Sequence, residues 1–192
     1  MKKRCSWPGN DDLYIRYHDE EWGVPVHDDR VLFENLCLEG QQAGLSWITI
    51  LKKRDNYRKA FYNFNIQKVS LMSDDNIFAL LSNDGLIKNK LKLFSIRNNA
   101  ISFQNIQKNF GSFDNYIWSY TNDKIIHSKD KNALDLSSKL LLSNSISKDL
   151  KKWGFKFIGP TICYAYLQAI GMINDHENDC FRYNEIKKLY NN

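Results

Sequence analysis

The sequence predicts an all-α protein, and three observations support that prediction. Apolar residues recur at helical spacing along most of the 192 residues, with no sustained alternation of the kind a half-buried strand requires. Asp, Ser and Gly stand where helices need starts and stops. A hydrophobic content of 43% and an aromatic content of 14% suffice for one substantial core. No repeat and no Pro/Gly-rich linker divides the chain, so residues 1–192 are read as a single compact unit.

The elements follow in order. Asp28 or Asp29 can cap a helix through "RVLFENLCLEG". In "LSWITILKKRDNYRKAF", Trp47, Ile50, Leu51 and Phe61 fall roughly on one face, which a second helix would bury. "SDDNIFALLSNDG" opens on acidic residues, which suit the positive end of a helix, and closes on Gly85. "KNKLKLFSIRNNAISFQNIQKNFG" reads as a longer helix stopped by Gly111. A loop-rich stretch over about 119–132 precedes "ALDLSSKLLLS", where the helical pattern resumes and runs to near Trp153. Gly154 can stop that helix, Gly159 can turn the chain and Pro160 suits the first turn of the next, giving a hairpin at 154–160. Free N–H groups at the start of that last helix would suit a phosphate, although an ordinary turn between core helices fits the same glycines. Residues after Tyr183 match no motif and read as a loosely held tail.

Net charge is +5, and basic residues gather in "LKKRDNYRK", "LIKNKLKLFSIR" and "SKDLKKWGFK". They suit a polyanionic partner, and equally a solvated lysine-rich surface. The N-terminal "MKKRCSWPGND" has no apolar run behind it, and no window approaches the length of a membrane span. A cytoplasmic chain with no membrane partner is therefore expected, and nothing demands more than a monomer.

Cys37 and Cys163 lie in apolar helical patterns and read as small core residues. Cys5 and Cys180 differ, because each has a histidine in a polar setting: His18 for the first, and His176 four residues before the second. That spacing lets His176 and Cys180 face one way on a helical turn, and the four together form a candidate Cys2His2 zinc set. A Cys5–Cys180 disulfide is the rival, disfavoured in a reducing compartment. One ion held from both ends would restrict the unfolded chain and fix a terminal layer of residues 1–25 and 172–183. His27 and His127 have no paired ligand nearby and read as surface or loop residues.

A second constellation joins "LYIRYHDEEWGVP" to "LCLEGQQAGLSWITILKKR". Glu39, flanked by Leu38 and Gly40, can face inward, which is costly unless a cation or hydrogen-bond donor meets it. Tyr14, Tyr17, Trp22 and Trp47 could surround it as a cage for a planar cation, although each aromatic taken singly fits core packing.

Across about residues 1–180 the chain resembles the DNA-3-methyladenine glycosylase I family, bacterial helix-hairpin-helix enzymes of base-excision repair. The resemblance is densest in "RCSW", "LYIRYHDEEWGVP", "LFENLCLEGQQAGLSWITILKKR" and "GFKFIGPTICYAYLQAIGMINDH". It implies a helix-hairpin-helix glycosylase fold with one structural zinc ion on Cys5, His18, His176 and Cys180, joining the N- and C-terminal segments. It also implies a pocket for an extruded base made by Glu39, Tyr17 and Trp47, with Tyr14 and Trp22 nearby and Glu39 as the catalytic carboxylate. Gly44 and Leu45 would enter the gap in the duplex, and Gly159 and Thr161 would grip its backbone. The implied partner is alkylated double-stranded DNA, the implied reaction hydrolysis of the N-glycosidic bond of 3-methyladenine, and the implied place the bacterial cytoplasm at the nucleoid.

The chain departs from the wider helix-hairpin-helix group in instructive ways. It has no lysine from 157 through 186, where strand-cutting members carry one, so no lyase activity is expected. It lacks the four-cysteine cluster of an iron–sulfur site. Asp175 sits beside a candidate ligand and is read as structural. "GFKFIGPT" differs from the commoner hairpin pattern, which leaves its phosphate contacts open. The competing function is a non-enzymatic zinc-stabilised DNA-binding protein.

Overall fold

The computed structural model describes residues 2–128 and 135–189. Helices α1 (Asp12–Glu20), α2 (Asp29–Gln42) and α3 (Trp47–Ala60) are followed by short α4 (Ile66–Ser70) and α5 (Asp74–Leu80). The long α6 (Lys90–Phe110) and α7 (Phe113–Trp118) come next, then α8 (Leu136–Lys152), α9 (Pro160–Ala169) and α10 (Phe181–Leu189). The chain is mostly helical and several helix starts are capped by side chains: Asp28, as the sequence suggests, and also Asp11, Asn89 and Asp135 each accept backbone N–H bonds at a helix start.

The alternative between Asp28 and Asp29 resolves into two different jobs. Asp28 caps its own helix by accepting from Val31 N. The Asp29 carboxylate instead accepts from Phe113 N, Asp114 N and Gln107 Nε2, at 3.0, 2.8 and 2.7 Å, and so anchors the start of α7 from across the molecule.

Helix α2 lies at the centre, against α3, α6, α7 and α9. Its Leu32, Phe33, Leu36, Cys37 and Leu38 are all buried, which is why its pattern is nearly continuous rather than one-sided. Phe33 meets Phe103 edge to face at 5.3 Å, and Phe103 stacks on Phe113 at 4.1 Å. Each such large apolar side chain contributes roughly 1.5–3 kcal/mol on burial. Cys37 and Cys163 belong to this core, as their apolar surroundings suggested.

Helices α8 and α9 pack side by side, and residues 153–159 turn between them. That turn is held from α6 and α8. Asn98 Nδ2 donates to the Gly154 carbonyl at 2.7 Å, while Asn99 donates to the Lys156 carbonyl and accepts from its N–H, at 3.1 and 2.8 Å. Ser147 Oγ donates to the Ile158 carbonyl at 2.6 Å. At its tip Phe157 presses on Gly40, where a Cβ would come within 3.3 Å of the Phe157 Cβ and carbonyl oxygen. Helix α2 runs through Gly40 to Gln42, and Gly40 is the point where the turn approaches the helix.

Several expectations need correction. The residues after Tyr183 are not a loose tail as far as Leu189: they form α10, with Ile186 fully buried beside Gly23 and the Tyr183 carbonyl accepting from Asn174 Nδ2. The stretch before 129 is not all loop, because β1 (Ile126–His127) pairs in parallel with β2 (Ile173–Asn174), Ile126 opposite Ile173. Two residues are too few for alternation to show. Helix α7 lies in a stretch to which the sequence reading assigns no element, and α5 ends at Leu80, short of Gly85. Residues 129–132 of the expected loop, and Ala133 and Leu134 of the expected next helix, lie outside the described residues.

Candidate active site and the Cys–His cluster

Helix α1 supplies one wall of a cleft of about 380 Å³. Tyr14, Tyr17 and His18 share one face of α1, at the i, i+3 and i+4 positions. Across from them, Glu39 comes from the end of α2 and Trp47 from the first position of α3, so the short turn at 43–46 brings the two together. Tyr17 and Trp47 are both buried, with ring centroids 5.4 Å apart. Trp22 completes this set, and Ala165 and Gln168 of α9 with Asp175 close the far side.

Trp7 was not anticipated as a site residue, yet it sits at the hub of the aromatic wall. Its ring lies 4.8 Å from Tyr14, 5.1 Å from Trp22, 5.2 Å from His18 and 6.4 Å from Tyr17. The only sign of it in the sequence is an aromatic two residues after Cys5. Gln42, Gln168 and Glu177 also line the cleft without having been singled out.

Two buried polar atoms in this cleft find no hydrogen-bond partner among the described residues: Glu39 Oε2 and Trp47 Nε1. Buried polar groups are normally satisfied, so an orphan acceptor and an orphan donor in one cavity point to a ligand that supplies the partners. Burial pushes the Glu39 carboxyl up from 4.5 to about 8, and burial followed by the nearness of Glu39 raises the phenols of Tyr14 and Tyr17. A cation entering the cleft would meet a carboxyl group able to ionise beside it, within walls of aromatic rings.

The back of the aromatic wall rests on the second constellation. Cys5, His18, His176 and Cys180 are all buried, and their ligand atoms lie within 4.8 Å of one another. Cys5 Sγ is 3.5 Å from His176 Nδ1, and Cys180 Sγ is 3.4 Å from His18 Nε2 and 3.6 Å from His176 Nδ1. A tetrahedral zinc ion with normal bond lengths requires sulfur–nitrogen edges of about 3.5–3.6 Å, so these donors fit it. The other ring nitrogens are already engaged as ligand imidazoles usually are. His176 Nε2–H donates to the Trp22 carbonyl at 3.1 Å, and His18 Nδ1–H donates to Asp19, itself held by Arg4. Burial lowers His176 to about 4 and also lowers His18, which keeps both imidazoles in the neutral form that coordinates. All four cysteines are free thiols, so the disulfide alternative is not adopted.

Asp175 lies between cluster and cleft, in a dense set of bonds. It accepts from Ser128 and Tyr164, from Gln168 Nε2 at 2.8 Å and from Lys139 Nζ at 3.0 Å. The remaining histidines do other work: His27 bonds Asp114 at 2.8 Å and stacks on Trp118, and His127 belongs to β1.

The residues expected at the DNA face lie on two turns, one between α2 and α3 and one before α9. Gly44 has φ of +77° in the turn between α2 and α3, and Leu45 beside it is 40% exposed. Gly159 is the N-cap of α9, with no side-chain cap of its own and Pro160 next, and Thr161 is exposed in the first turn. The second turn meets α2 where Phe157 approaches Gly40, the residue after Glu39.

Residues 7–183 match the family model described as methyladenine glycosylase. DNA-3-methyladenine glycosylase of Haemophilus influenzae is 47% identical over 180 residues, covering 94% of this chain and 97% of that protein. A crystal structure of a 3-methyladenine DNA glycosylase I superposes with a TM-score of 0.87 at 45% identity, covering 93% of this chain and 98% of that one. The Staphylococcus aureus 3-methyladenine DNA glycosylase I, whose structure concerns recognition of 3-methyladenine, gives a TM-score of 0.84 at 38% identity, over 93% of this chain and 95% of its own.

Proposed function

The chain belongs to the methyladenine glycosylase family, and on that premise we propose that it hydrolyses the N-glycosidic bond of 3-methyladenine in alkylated double-stranded DNA. The observation that carries this reading is the pair of unpartnered buried atoms, Glu39 Oε2 and Trp47 Nε1, inside an aromatic cleft of about 380 Å³. Methylation at N3 makes adenine cationic and its glycosidic bond weak. The protein therefore has to extrude the lesion, hold it, and let water reach the sugar as positive charge develops there.

In this reading Leu45 and Gly44 occupy the gap in the duplex while the base enters the cleft against Tyr17 and Trp47, with Tyr14 and Trp22 nearby. Glu39 accepts from the exocyclic amine and balances the cationic ring. A normal adenine, being neutral, gains neither the ion pairing nor the cation–π attraction, and selectivity follows from that difference. Water adds its oxygen to the anomeric carbon, the bonding pair leaves with the base as neutral 3-methyladenine, and a proton is released to solvent. The turn at 154–160, in a helix-hairpin-helix arrangement, holds the backbone through the N–H groups near Gly159 and Thr161.

Cys5, His18, His176 and Cys180 would hold one zinc ion that joins the N- and C-terminal segments. Having four protein ligands, it would be structural and take no part in the reaction. No strand cutting follows base loss in this scheme. Residues 157–186 contain no lysine, and Lys139, which reaches Asp175 at the cleft wall, is engaged by Asp175 and Ser128. The protein acts as a monomer in the cytoplasm.

The test is methylated duplex DNA incubated with the protein and split into two portions. Strand breaks that appear only after alkali treatment support a glycosylase without lyase activity. Breaks before alkali would overturn the monofunctional assignment. Tight binding to the duplex with no alkali-labile sites would favour the non-enzymatic DNA-binding protein.

A further inference from the structure

The turn that joins Glu39 to Trp47 is fastened by one buried cation. Lys92, in the first turn of α6, is only 6% exposed, and its ammonium donates to the Gln41 and Ala43 carbonyls at 2.7 Å each. These carbonyls stand at the C-terminal end of α2, where the helix dipole favours a positive charge. The clasp is reciprocal, because Gln41 Nε2 donates to the Lys92 carbonyl at 2.9 Å. Gln41 is fixed in turn by the Tyr57 hydroxyl at 3.1 Å, which itself accepts from Ile87 N at 3.1 Å. A lysine is costly to bury, and desolvation lowers its pKa here. A hydrophobic residue would fill the same space without that cost, so its presence calls for a reason beyond packing.

What Lys92 holds is the base of the turn whose tip is Leu45. Glu39 lies in the last turn of α2, four residues before Ala43, and Trp47 follows the turn immediately. We propose that Lys92 is a positioning residue for base extrusion: its ammonium locks the turn at 43–46 so that Leu45 can press into a duplex without the turn yielding. This rests on the glycosylase reading above. Pushing a base out of its stack costs a few kcal/mol, and a turn that bends under that load returns the base to the helix. Lys92 touches neither Glu39 nor Trp47 in the hydrogen bonds described, so it acts through the turn and not on the base.

The test compares wild type with Lys92→Met, which keeps the stem and removes the charge. The substrate is an oligonucleotide with a single 3-methylated adenine, annealed to its full complement or to a complement with an abasic site opposite the lesion. The second duplex offers a base already without a pairing partner. Base release is measured in single turnover. Expected is a loss of about tenfold or more on the paired lesion and of less than about threefold on the unpaired one, because extrusion from a paired stack is the harder task. A paired-to-unpaired rate ratio within about twofold of the wild-type ratio, whether both rates fall or neither does, overturns the proposal. Should Lys92→Met fail to fold, Lys92→Gln retains a neutral donor and is expected to shift the ratio in the same direction by less. Wild type that releases no base from either duplex would refute the glycosylase reading itself and this inference with it.

Discussion

The indole of Trp22 lies edge-on to the imidazole of His176 with ring centroids 4.6 Å apart, and the Trp22 carbonyl accepts from the same imidazole at 3.1 Å. One residue thus belongs at once to the wall of the cleft and to the outer shell of the Cys–His cluster. The proposed metal and the proposed base pocket share a structural member.

That sharing predicts how metal removal reads out. About one zinc ion per chain is expected, and Cys180→Ser should lose it. Because the site ties residue 5 to residue 180, its loss should lower the melting temperature by several degrees or more. Tryptophan emission should change at the same time as Trp22 loses its support. Undiminished zinc in Cys180→Ser, measured by atomic absorption, would remove Cys180 from the ligands.

Glu39 predicts a pH dependence of stability with a definite sign. Its carboxyl is raised to about 8 in the folded chain from an ordinary 4.5, so the folded state holds a proton that the unfolded state gives up between these values. Stability is therefore lost progressively as pH rises from about 4.5 to about 8, by roughly 1.4 kcal/mol per unit at most. Glu39→Gln removes this loss. Its melting temperature should match wild type near pH 4.5 and exceed it increasingly towards pH 8. A constant offset across that range would show that Glu39 is ionised in the free protein.

The bonds around Asp175 predict an asymmetry. Asp175→Ala leaves the Lys139 ammonium, 8% exposed, together with Tyr164 and Gln168 without their acceptor, and should cost about 3 kcal/mol or more. Lys139→Met leaves Asp175 with three remaining donors and should cost about 1–2 kcal/mol. Urea unfolding of both variants checks the order, and equal costs would contradict it.

Gly171 predicts a severe local effect. Its φ is +75°, and a Cβ there would press directly on the Val24 carbonyl carbon and the Pro25 nitrogen, both backbone atoms that cannot swing away. The Val26 N–H bond to the Ile170 carbonyl, at 3.0 Å, fixes that approach. Gly171→Ala should cost about 4 kcal/mol or more and yield mostly insoluble chain. A melting temperature close to wild type would show that the 24–26 segment can move off the core.

The parts legible in the sequence are those written locally. Asp28 and Gly111 mark helix ends within one or two residues because capping acts over a single turn. The pairing of His176 with Cys180 was visible from its four-residue spacing, although the chain between them is a turn and not the expected helical step, and Glu39 and Trp47 were visible as an inward carboxylate and an aromatic in neighbouring helical patterns. The parts that escaped depend on partners far away along the chain. Trp7 becomes the hub of the cleft only through rings on other segments, and Asn98 and Asn99 look like unremarkable polar residues of a long helix until residues 154–156 fold onto them. Lys92 reads as one more surface lysine, and Ile186 as part of a tail, because nothing in their neighbours records the segments that bury them.

The central claim is that Glu39 and Trp47 form a pocket that receives 3-methyladenine, and chromatography of bases released from methylated duplex DNA tests it most directly. Zinc-loaded wild type should release free 3-methyladenine, and a folded, zinc-loaded Glu39→Gln should release it at least about tenfold more slowly, the loss expected when a charge-assisted bond to the leaving base is removed. Equal release by the two proteins would contradict the pocket, and no release by wild type would contradict the function.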